Sequence, residues 1–264
     1  AVTYGVKMPR VGTQTMTSLL LPLPPLNEQQ RIVNKINEVM PVVAKYDTTY
    51  SKVKELNETF PEALKRSILQ WAVQGKLVPQ DPTDEPAKAL LERIREEKQQ
   101  LIKKGKIKKD KHESIIFRRD NSHYEKLDGV ERCIDDELPF GIPENWCWCK
   151  IGSLFTLQAG KNIHAAEISE TPFSRSYPCY GGNGIRGYVA GFNRSGDYPI
   201  IGRQGALCGN INRATGDFYA TEHAVCVETY ASVSVAWACL FLMALNLNQY
   251  ATATAQPGLA VSNI

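Results

Sequence analysis

The feature that most constrains the fold is a heptad repeat in the first third of the sequence. Apolar residues recur there at alternating spacings of four and three, and ten of the twelve positions in the two interleaved rows are apolar. This pattern places the residues on one side of a long helix, roughly 70 Å at 1.5 Å per residue, and predicts a coiled-coil arm that packs against a second helix. We call this stripe the seam; it consists of Ile32, Ile36, Val39, Val43, Tyr46, Tyr50, Val53, Asn57, Phe60, Leu64, Ser67 and Trp71.

Local signals predict both ends of this helix. Asn27 is predicted to cap its start, with Gln30 three residues later to complete a capping box. Gly75 is predicted to end it, because glycine readily adopts the left-handed conformation that a helix cap needs.

Two prolines and one asparagine interrupt the pattern. Pro41 falls on the outer side of the helix, where it predicts a bend that leaves the seam accessible. Pro61 predicts a break after Phe60 and a restart, because a proline pushes the preceding residue out of the helical conformation. Asn57 lies within the seam; either it fixes the register of pairing or it simply lies where the helix breaks, and both interpretations are open.

Composition limits the class of protein. The chain has 264 residues and is 43% hydrophobic, which suits one large or two smaller globular domains. It contains no run of about eighteen apolar residues and no signal-peptide pattern, so we expect no membrane span. The seven cysteines form no CxxC pair, and we expect reduced thiols in a cytoplasmic protein. The net charge of +3 alone says little about nucleic acid.

The segments around the repeat differ from it in character. Residues 1–26 end in a proline-stiffened apolar segment that we expect to pack as an edge strand on a larger domain; a free proline-rich ligand is the alternative. A second helix, predicted at residues 86–104, has an apolar face that can fold back on the first helix or on the next domain. Six lysines between residues 103 and 111 are typical of a solvated linker or of loose phosphate contact.

From residue 138 onward the sequence is rich in glycine, aromatic and β-branched residues, in short runs broken by turn signals. Strands are predicted at residues 146–151, 188–192, 198–202, 218–220 and 224–228, and a buried helix at residues 232–247. The predicted fold class is therefore α+β: a long coiled-coil-type helical arm plus a mostly β domain with irregular loops.

The loops of this β domain carry many side chains that can read base edges: Asn183, Arg186, Asn193, Arg194, Arg203, Gln204, Asn210, Asn212, Arg213 and His223. In a major groove, arginine pairs bidentately with guanine, and asparagine or glutamine with adenine. The alternative is that these asparagines and the glycines around them simply form turns. The residues predicted to contact DNA are Lys161, Tyr180, Asn183, Arg186, Arg203, Gln204, Asn212 and Arg213.

Several sharper motifs carry little weight. Residues 182–187 fit GxGxxG, but a strand pattern follows where a dinucleotide site needs a helix. The four histidines form no metal-binding pattern. Cys208 with His223 would make a thiol hydrolase, yet no third group or activating context accompanies the pair. We expect no catalytic residues, no metal and no cofactor.

Five blocks of the sequence resemble one protein family. Residues 21–33, which read LPLPPLNEQQRIV and open the long helix, resemble the start of a conserved region in type I restriction–modification specificity (S) subunits. Residues 60–80 and 138–146 resemble the same family, and residues 201–205 and 218–224 resemble its target-recognition domain. The resemblance covers nearly the whole chain.

S subunits alternate two target-recognition domains with two long helices, which pack antiparallel and act as a ruler between the two halves of a split DNA sequence. The resemblance therefore implies a specificity subunit that is not itself an enzyme. Such a subunit binds double-stranded DNA and docks the modification and restriction subunits, which carry out methylation and cleavage.

The chain departs from the family pattern because it carries one recognition domain. Residues 257–264 align with residues 9–16, so the chain resembles one repeat of a two-repeat protein. The predicted domains are the tail end of a recognition domain (1–26), a helical spacer (27–104), a basic and polar linker (105–137) and a recognition domain (138–264). Two copies can pair their seams antiparallel and imitate a complete S subunit; the helix at residues 86–104 is the alternative partner of the seam.

A rival interpretation comes from another class of protein. A coiled-coil assembly scaffold whose β domain binds protein would share the seam and the domain layout. Steep salt dependence of binding separates the two, because neutralising DNA phosphates releases counterions.

Overall fold

The computed structural model describes residues 21–109, 114–205, 207–252 and 258–259. Most of the predicted edge segment and of the two similar end segments lies outside the described residues. The chain divides into two compact units, residues 1–63 and 64–264. The α+β fold class is confirmed, because a long helix precedes one three-stranded and one six-stranded sheet.

Helix α1 (Leu26–Val73) is a single helix of 48 residues in which no residue is buried. The apolar residues of the seam are 42–70% exposed, and Tyr46 stacks on Tyr50 with ring centroids 6.1 Å apart. A soluble helix normally buries such a stripe. The seam is therefore present as predicted, and its apolar surface faces solvent.

The predicted break at Pro61 is wrong, because α1 runs through both Pro41 and Pro61. Each proline removes one backbone hydrogen bond, but α1 is exposed on all sides and water can solvate the freed carbonyl. Asn57 consequently lies inside a continuous helix, and the interpretation that it marks a break no longer applies.

The predicted start of α1 is also corrected, whereas the predicted end is confirmed. Asn27 lies within the helix, and the Gln30 side chain donates to Asn34 instead of completing a capping box. At the other end Gly75 has φ +69°, and the next amide, that of Lys76, donates to the carbonyl of Trp71 at 2.9 Å. This is the six-to-one bond of a glycine-capped helix end.

Helix α2 (Ala87–Lys103) matches its predicted range and buries Leu91, Ile94 and Lys98. The Lys98 ammonium donates to the carbonyl oxygens of Gly152 at 2.5 Å and Phe155 at 3.2 Å. Of the two partners open to this helix, it therefore packs on the following domain.

Residues 114–133, predicted as linker, form a three-stranded antiparallel sheet instead: β1 (Ser114–Arg119), β2 (Ser122–Leu127) and β3 (Val130–Cys133). Its buried centre is the Glu125 carboxylate, which accepts hydrogen bonds from Ser114 at 2.6 Å and Arg132 at 2.6 Å and lies 3.4 Å from the Lys150 ammonium. The prediction failed because the polar residues that indicated a linker contact one another between strands.

The second sheet has six strands in the order β4-β9-β7-β8-β5-β6, and only the β5–β8 pair is parallel. A short helix, α3 (Ile151–Leu154), precedes it, and helix α4 (Val235–Ala244) follows it. The strands are β4 (Thr156–Ala159), β5 (Tyr177–Gly181), β6 (Gly184–Val189), β7 (Arg194–Gly202), β8 (Ile211–Ala220) and β9 (Ala224–Glu228).

Both faces of this sheet bury apolar side chains. Because successive strand residues point to opposite faces, Ile201 and Val225 pack with Ala238 and Leu242 of α4, whereas Ile200 and its neighbours form a second cluster on the other face. The second cluster contains Ile200, Ala214, Phe218, Ala220, Ala224 and Cys226, with Tyr180 and Tyr198 against it.

The hairpin of β7 and β8 is strongly curved. The amide side chain of Asn193, just before β7, exchanges two hydrogen bonds with the backbone of Ala220 at the end of β8. Gly202 at the far end of β7 pairs with Ala224, only four residues beyond Ala220. The four residues from Ala220 to Ala224 span at most about 14 Å, whereas the nine from Asn193 to Gly202 would span about 30 Å as a straight strand. The hairpin must therefore bend.

Two facing glycines permit this curvature. Gly196 of β7 pairs with Gly216 of β8, and both have positive φ, +135° and +77°. A side chain at either position would strain this backbone. The ends of the hairpin are thereby brought to the same side of the sheet.

The remaining predictions for this domain are partly confirmed. Strand β9 and helix α4 match residues 224–228 and 232–247, and β7 and β8 contain the predicted residues 198–202 and 218–220. The strand predicted at 188–192 is only the end of β6. The strand predicted at 146–151 is wrong, because Trp148 packs on Phe140, at 5.3 Å between ring centroids, in irregular backbone. No helix in the described part of the chain is long and apolar enough to span a membrane.

Candidate nucleic-acid interface

Three turns of the six-stranded sheet meet at one place, which we call the turn cluster. They are the β5–β6 turn at residues 182–183, the described residues of the β7–β8 loop at 203–210, and the β8–β9 turn at 221–223. The Asn210 amide donates to the Asn183 side-chain oxygen at 2.9 Å, and the Arg203 amide donates to the His223 carbonyl at 2.8 Å. These contacts hold the three turns against one another.

Close packing of backbones in the turn cluster requires glycine. A Cβ atom on Gly202 would lie 1.8 Å from the Gly182 carbonyl oxygen, and one on Gly182 would lie 2.7 Å from the Gln204 carbonyl oxygen. Both distances are too short for a side chain to be accommodated without a backbone shift. The glycines thus allow the polar side chains of different turns to lie side by side.

A cavity of about 400 Å³ opens at the turn cluster. Its polar lining comes from two turns, with Arg203 and Gln204 on one and Glu222 and His223 on the other. The His223 imidazole lies 3.1 Å from a Glu222 carboxylate oxygen. The remaining lining residues are Thr252, Gly258 and Leu259.

Two buried polar atoms near these turns have no hydrogen-bond partner among the described residues: the second carboxylate oxygen of Glu222 and the Asn212 side-chain nitrogen. Asn212 lies beside the β5–β6 turn, since a Cβ on Gly184 would meet its side-chain oxygen at 3.1 Å. An unsatisfied buried polar atom costs about 1–3 kcal/mol. The region of the turn cluster therefore contains one acceptor and one donor that the described residues leave unsatisfied.

The structure brings together four of the eight residues predicted to contact DNA: Asn183, Arg203, Gln204 and Asn212. Lys161 flanks the β8–β9 turn, because its amide donates to the Ala220 carbonyl at 3.0 Å and its side chain is exposed. Arg186 is exposed on β6, next to the β5–β6 turn.

The other two predicted residues have different contacts. Tyr180 packs edge-on against Phe218, with ring centroids 5.4 Å apart, and burial raises the pKa of its phenol. Arg213 makes a two-pronged ion pair with Asp197 at 2.8 and 2.5 Å, which lowers the pKa of that carboxyl group. Tyr180 thus belongs to the core, and Arg213 is already neutralised.

Sequence comparisons show similarity to one group of proteins over parts of the chain. No family model matches the chain. It is 51% identical to the specificity subunit of the type I restriction enzyme EcoprrI of Escherichia coli, over 43% of this chain and 29% of that subunit. The specificity subunits of EcoAI and EcoEI, also from Escherichia coli, are 35% and 45% identical, over 53% and 41% of this chain and 27% and 15% of theirs.

Over the matched residues, the chain is homologous to type I restriction enzyme specificity subunits. The matches span less than a third of the length of these relatives. Among solved structures, the S subunit from M. genitalium is 19% identical over 43% of this chain and 30% of that one, with a TM-score of 0.38. The HsdS subunit of Thermoanaerobacter tengcongensis is 16% identical over 92% and 47%, with a TM-score of 0.40.

In this homologue, some side chains of the base-reading type are structural. The Asn193 side-chain amide makes two hydrogen bonds with the Ala220 backbone, as a residue of a neighbouring strand would. The Arg194 guanidinium donates to the Gln158 side chain at 3.1 Å and to the Asn193 carbonyl at 3.0 Å. The contacts of these two residues are therefore structural, and neither residue belongs to the set predicted to contact DNA.

Sequence reasoning missed Glu222 and left Asn210 and His223 outside the predicted set. A lone glutamate in a turn carries no local signal, and its place in the cavity depends on the curvature of the β7–β8 hairpin. Cys208 of the hydrolase hypothesis is buried, and its sulfur accepts a hydrogen bond from the Asn248 side chain at 3.4 Å. Among the described residues no group of His, Cys, Asp or Glu can hold a metal ion.

Proposed function

We propose that this chain is a DNA sequence-recognition subunit of a type I restriction–modification system and reads one half of a bipartite target. It is not itself an enzyme in this proposal; methylation and cleavage belong to modification and restriction subunits that dock on it in the cytoplasm. The observation that carries the proposal is the identity of up to 51% to specificity subunits. The turn cluster, with its unsatisfied donor and acceptor, supports it.

We assign DNA contact to the turn cluster and its flanks. Base contacts are assigned to residues that lie in or beside the turn cluster, because guanidinium and amide groups distinguish base pairs: Arg203, Gln204, Asn183 and Asn212. Lys161 and Arg186, which are exposed beside the cluster, are assigned to phosphates, which position the duplex without reading it.

The seam is assigned to pairing with a second copy in antiparallel orientation. Its apolar residues are exposed along α1, and α2 uses its own apolar face against the following domain. A pair of such helices would hold two recognition domains at a fixed distance and imitate a two-repeat S subunit. Sedimentation at micromolar concentration should give a dimer; a monomer at that concentration would contradict the pairing.

Selection from randomised duplex DNA at two salt concentrations tests the main proposal. A short enriched motif is expected, with log K falling by about 0.9 per phosphate contact for each unit of log salt. A motif repeated at fixed spacing would add the pairing. If there is no enrichment, the selection is repeated with the modification subunit present, and a second failure would favour the assembly scaffold that binds protein.

Two substitutions separate base reading from phosphate contact. Arg203→Ala should relax recognition at one base pair, at a cost of about 1–3 kcal/mol. Lys161→Ala should leave the motif unchanged and reduce the salt slope by about 1. An unchanged motif in the Arg203 variant would remove Arg203 from the recognition site.

A further inference from the structure

The turn cluster holds two opposite charges that do not neutralise each other. Arg203 and Glu222 line the same cavity, yet among the described residues the Arg203 guanidinium makes no ion pair within 4.0 Å. Glu222 turns one carboxylate oxygen to His223 at 3.1 Å, while its other oxygen is buried without a partner. The cavity is thus lined by a forked donor and by an acid that are not paired with each other.

The base pair that matches this arrangement is G·C. In the major groove, guanine presents two adjacent acceptors, N7 and O6, which an arginine fork satisfies, and cytosine presents the N4 amine, which a carboxylate accepts. In an A·T pair, adenine presents one acceptor, N7, beside its N6 amine, and thymine presents one acceptor, O4. Neither base therefore offers two adjacent acceptors to the arginine fork. A G·C pair satisfies both charged groups at once.

We propose that Arg203 and Glu222 together read one G·C base pair, with Arg203 on guanine and Glu222 on the cytosine amine. This inference rests on the proposed function and specifies the base at one position of the target. His223 acts as a positioning residue, because its contact with one Glu222 oxygen holds the carboxylate in the lining of the cavity.

Glu222→Gln tests the acceptor without changing the size of the side chain. The amide keeps one acceptor and gains a donor, and glutamine pairs with adenine. Selection with the whole chain, and with the modification subunit if binding needs it, should show loss of the G·C preference at one position by about tenfold. The other positions of the motif should be retained.

Asp217→Asn is the matched control. Asp217 is an exposed acid on β8 outside the cavity, and its substitution removes the same charge from the same sheet. Both variants should bind DNA somewhat more tightly through the charge change, but only the Glu222 variant should change the motif. A change in the motif of the Asp217 variant would show that charge alone explains the effect.

Arg203→Lys tests whether the two residues share one base pair. Lysine keeps the positive charge but loses the fork, so the preference for guanine should weaken at the same position that Glu222→Gln affects. Effects at two different positions, or an unchanged motif in the Glu222 variant with unaltered thermal unfolding, would overturn the inference. A wild-type chain that enriches no motif would instead count against the proposed function.

Discussion

Helix α1 and strand β9 are both rich in apolar residues, but these residues are exposed in α1 and buried in β9. None of the 48 residues of α1 is buried, whereas four of the five residues of β9 are buried between two layers of side chains. The apolar residues of the sheet are therefore covered by other parts of this chain, whereas the apolar stripe of the helix is not covered by any described residue. A stripe of this kind is stable in water chiefly when a second helix covers it.

Removing a core side chain from the sheet should have the largest effect. Phe218 is fully buried and contacts the rings of Tyr180 and Tyr198 edge-on. Phe218→Ala should lower the free energy of unfolding of the β domain by about 3–5 kcal/mol, measured by chemical denaturation. A loss below about 1 kcal/mol would show that this face of the sheet is not a close-packed core.

The three-stranded sheet differs from both elements, because the buried group at its centre is the charged Glu125 carboxylate. Burial raises the pKa of Glu125, but hydrogen bonds from Ser114 and Arg132 and the charge of Lys150 outweigh it and lower the pKa below 4.5. Glu125→Gln should therefore cost about 1–3 kcal/mol at neutral pH, measured by denaturation. Because the folded-state pKa is the lower one, this difference should persist above pH 4.5 and shrink as the pH falls below it.

Glu131→Gln on the same sheet is the control for Glu125. Glu131 lies 3.2 Å from Arg119 in an exposed ion pair, and such pairs contribute about 1 kcal/mol or less. Equal effects of the two substitutions would show that burial of Glu125 does not matter.

A charge placed in the seam tests whether a second copy of α1 covers this apolar stripe. Val43→Glu should weaken self-association at least tenfold in sedimentation equilibrium, because two like charges would be buried in an antiparallel pair. The free energy of unfolding of the β domain should not change. Thr48→Glu, on the outer side of the helix, is the matched control, and equal behaviour of the two variants would exclude the seam as the contact.

The smallest expected effect concerns Asn57. A polar residue within a seam weakens pairing but restricts its register, so Asn57→Val should strengthen self-association severalfold and permit more than one register. Crosslinking between engineered cysteines would report the registers. The same substitution at Asn34, on the outer side, should change neither quantity; weaker association of the Asn57 variant would contradict this role.

Elements set by short-range signals were predicted well. The heptad spacing gave α1, and Gly75 gave its end, because a repeat of seven residues and a glycine cap act within one or two helical turns. The ranges of α2, β9 and α4 followed in the same way. The break at Pro61 failed because a rule about one residue does not include the stability of the long helix on either side.

The arrangement of the turn cluster could be found only from the tertiary structure. Asn183 and Asn210 are 27 residues apart, and only the curved β7–β8 hairpin places them 2.9 Å from each other. In the sequence Asn193 and Asn183 are the same kind of residue, yet one side chain bonds to backbone and the other lies at the turn cluster.

The sequence by itself determined that this protein has a helix with an apolar seam and a β domain with polar loops, because periodicity and caps are local properties of the chain. Only the tertiary structure decided which polar residues line the cavity. Arg213 is neutralised by Asp197, whereas Arg203 shares a cavity with Glu222. The physical reason is that a polar side chain takes its role from its hydrogen-bond partner, and most of these partners are distant in the sequence.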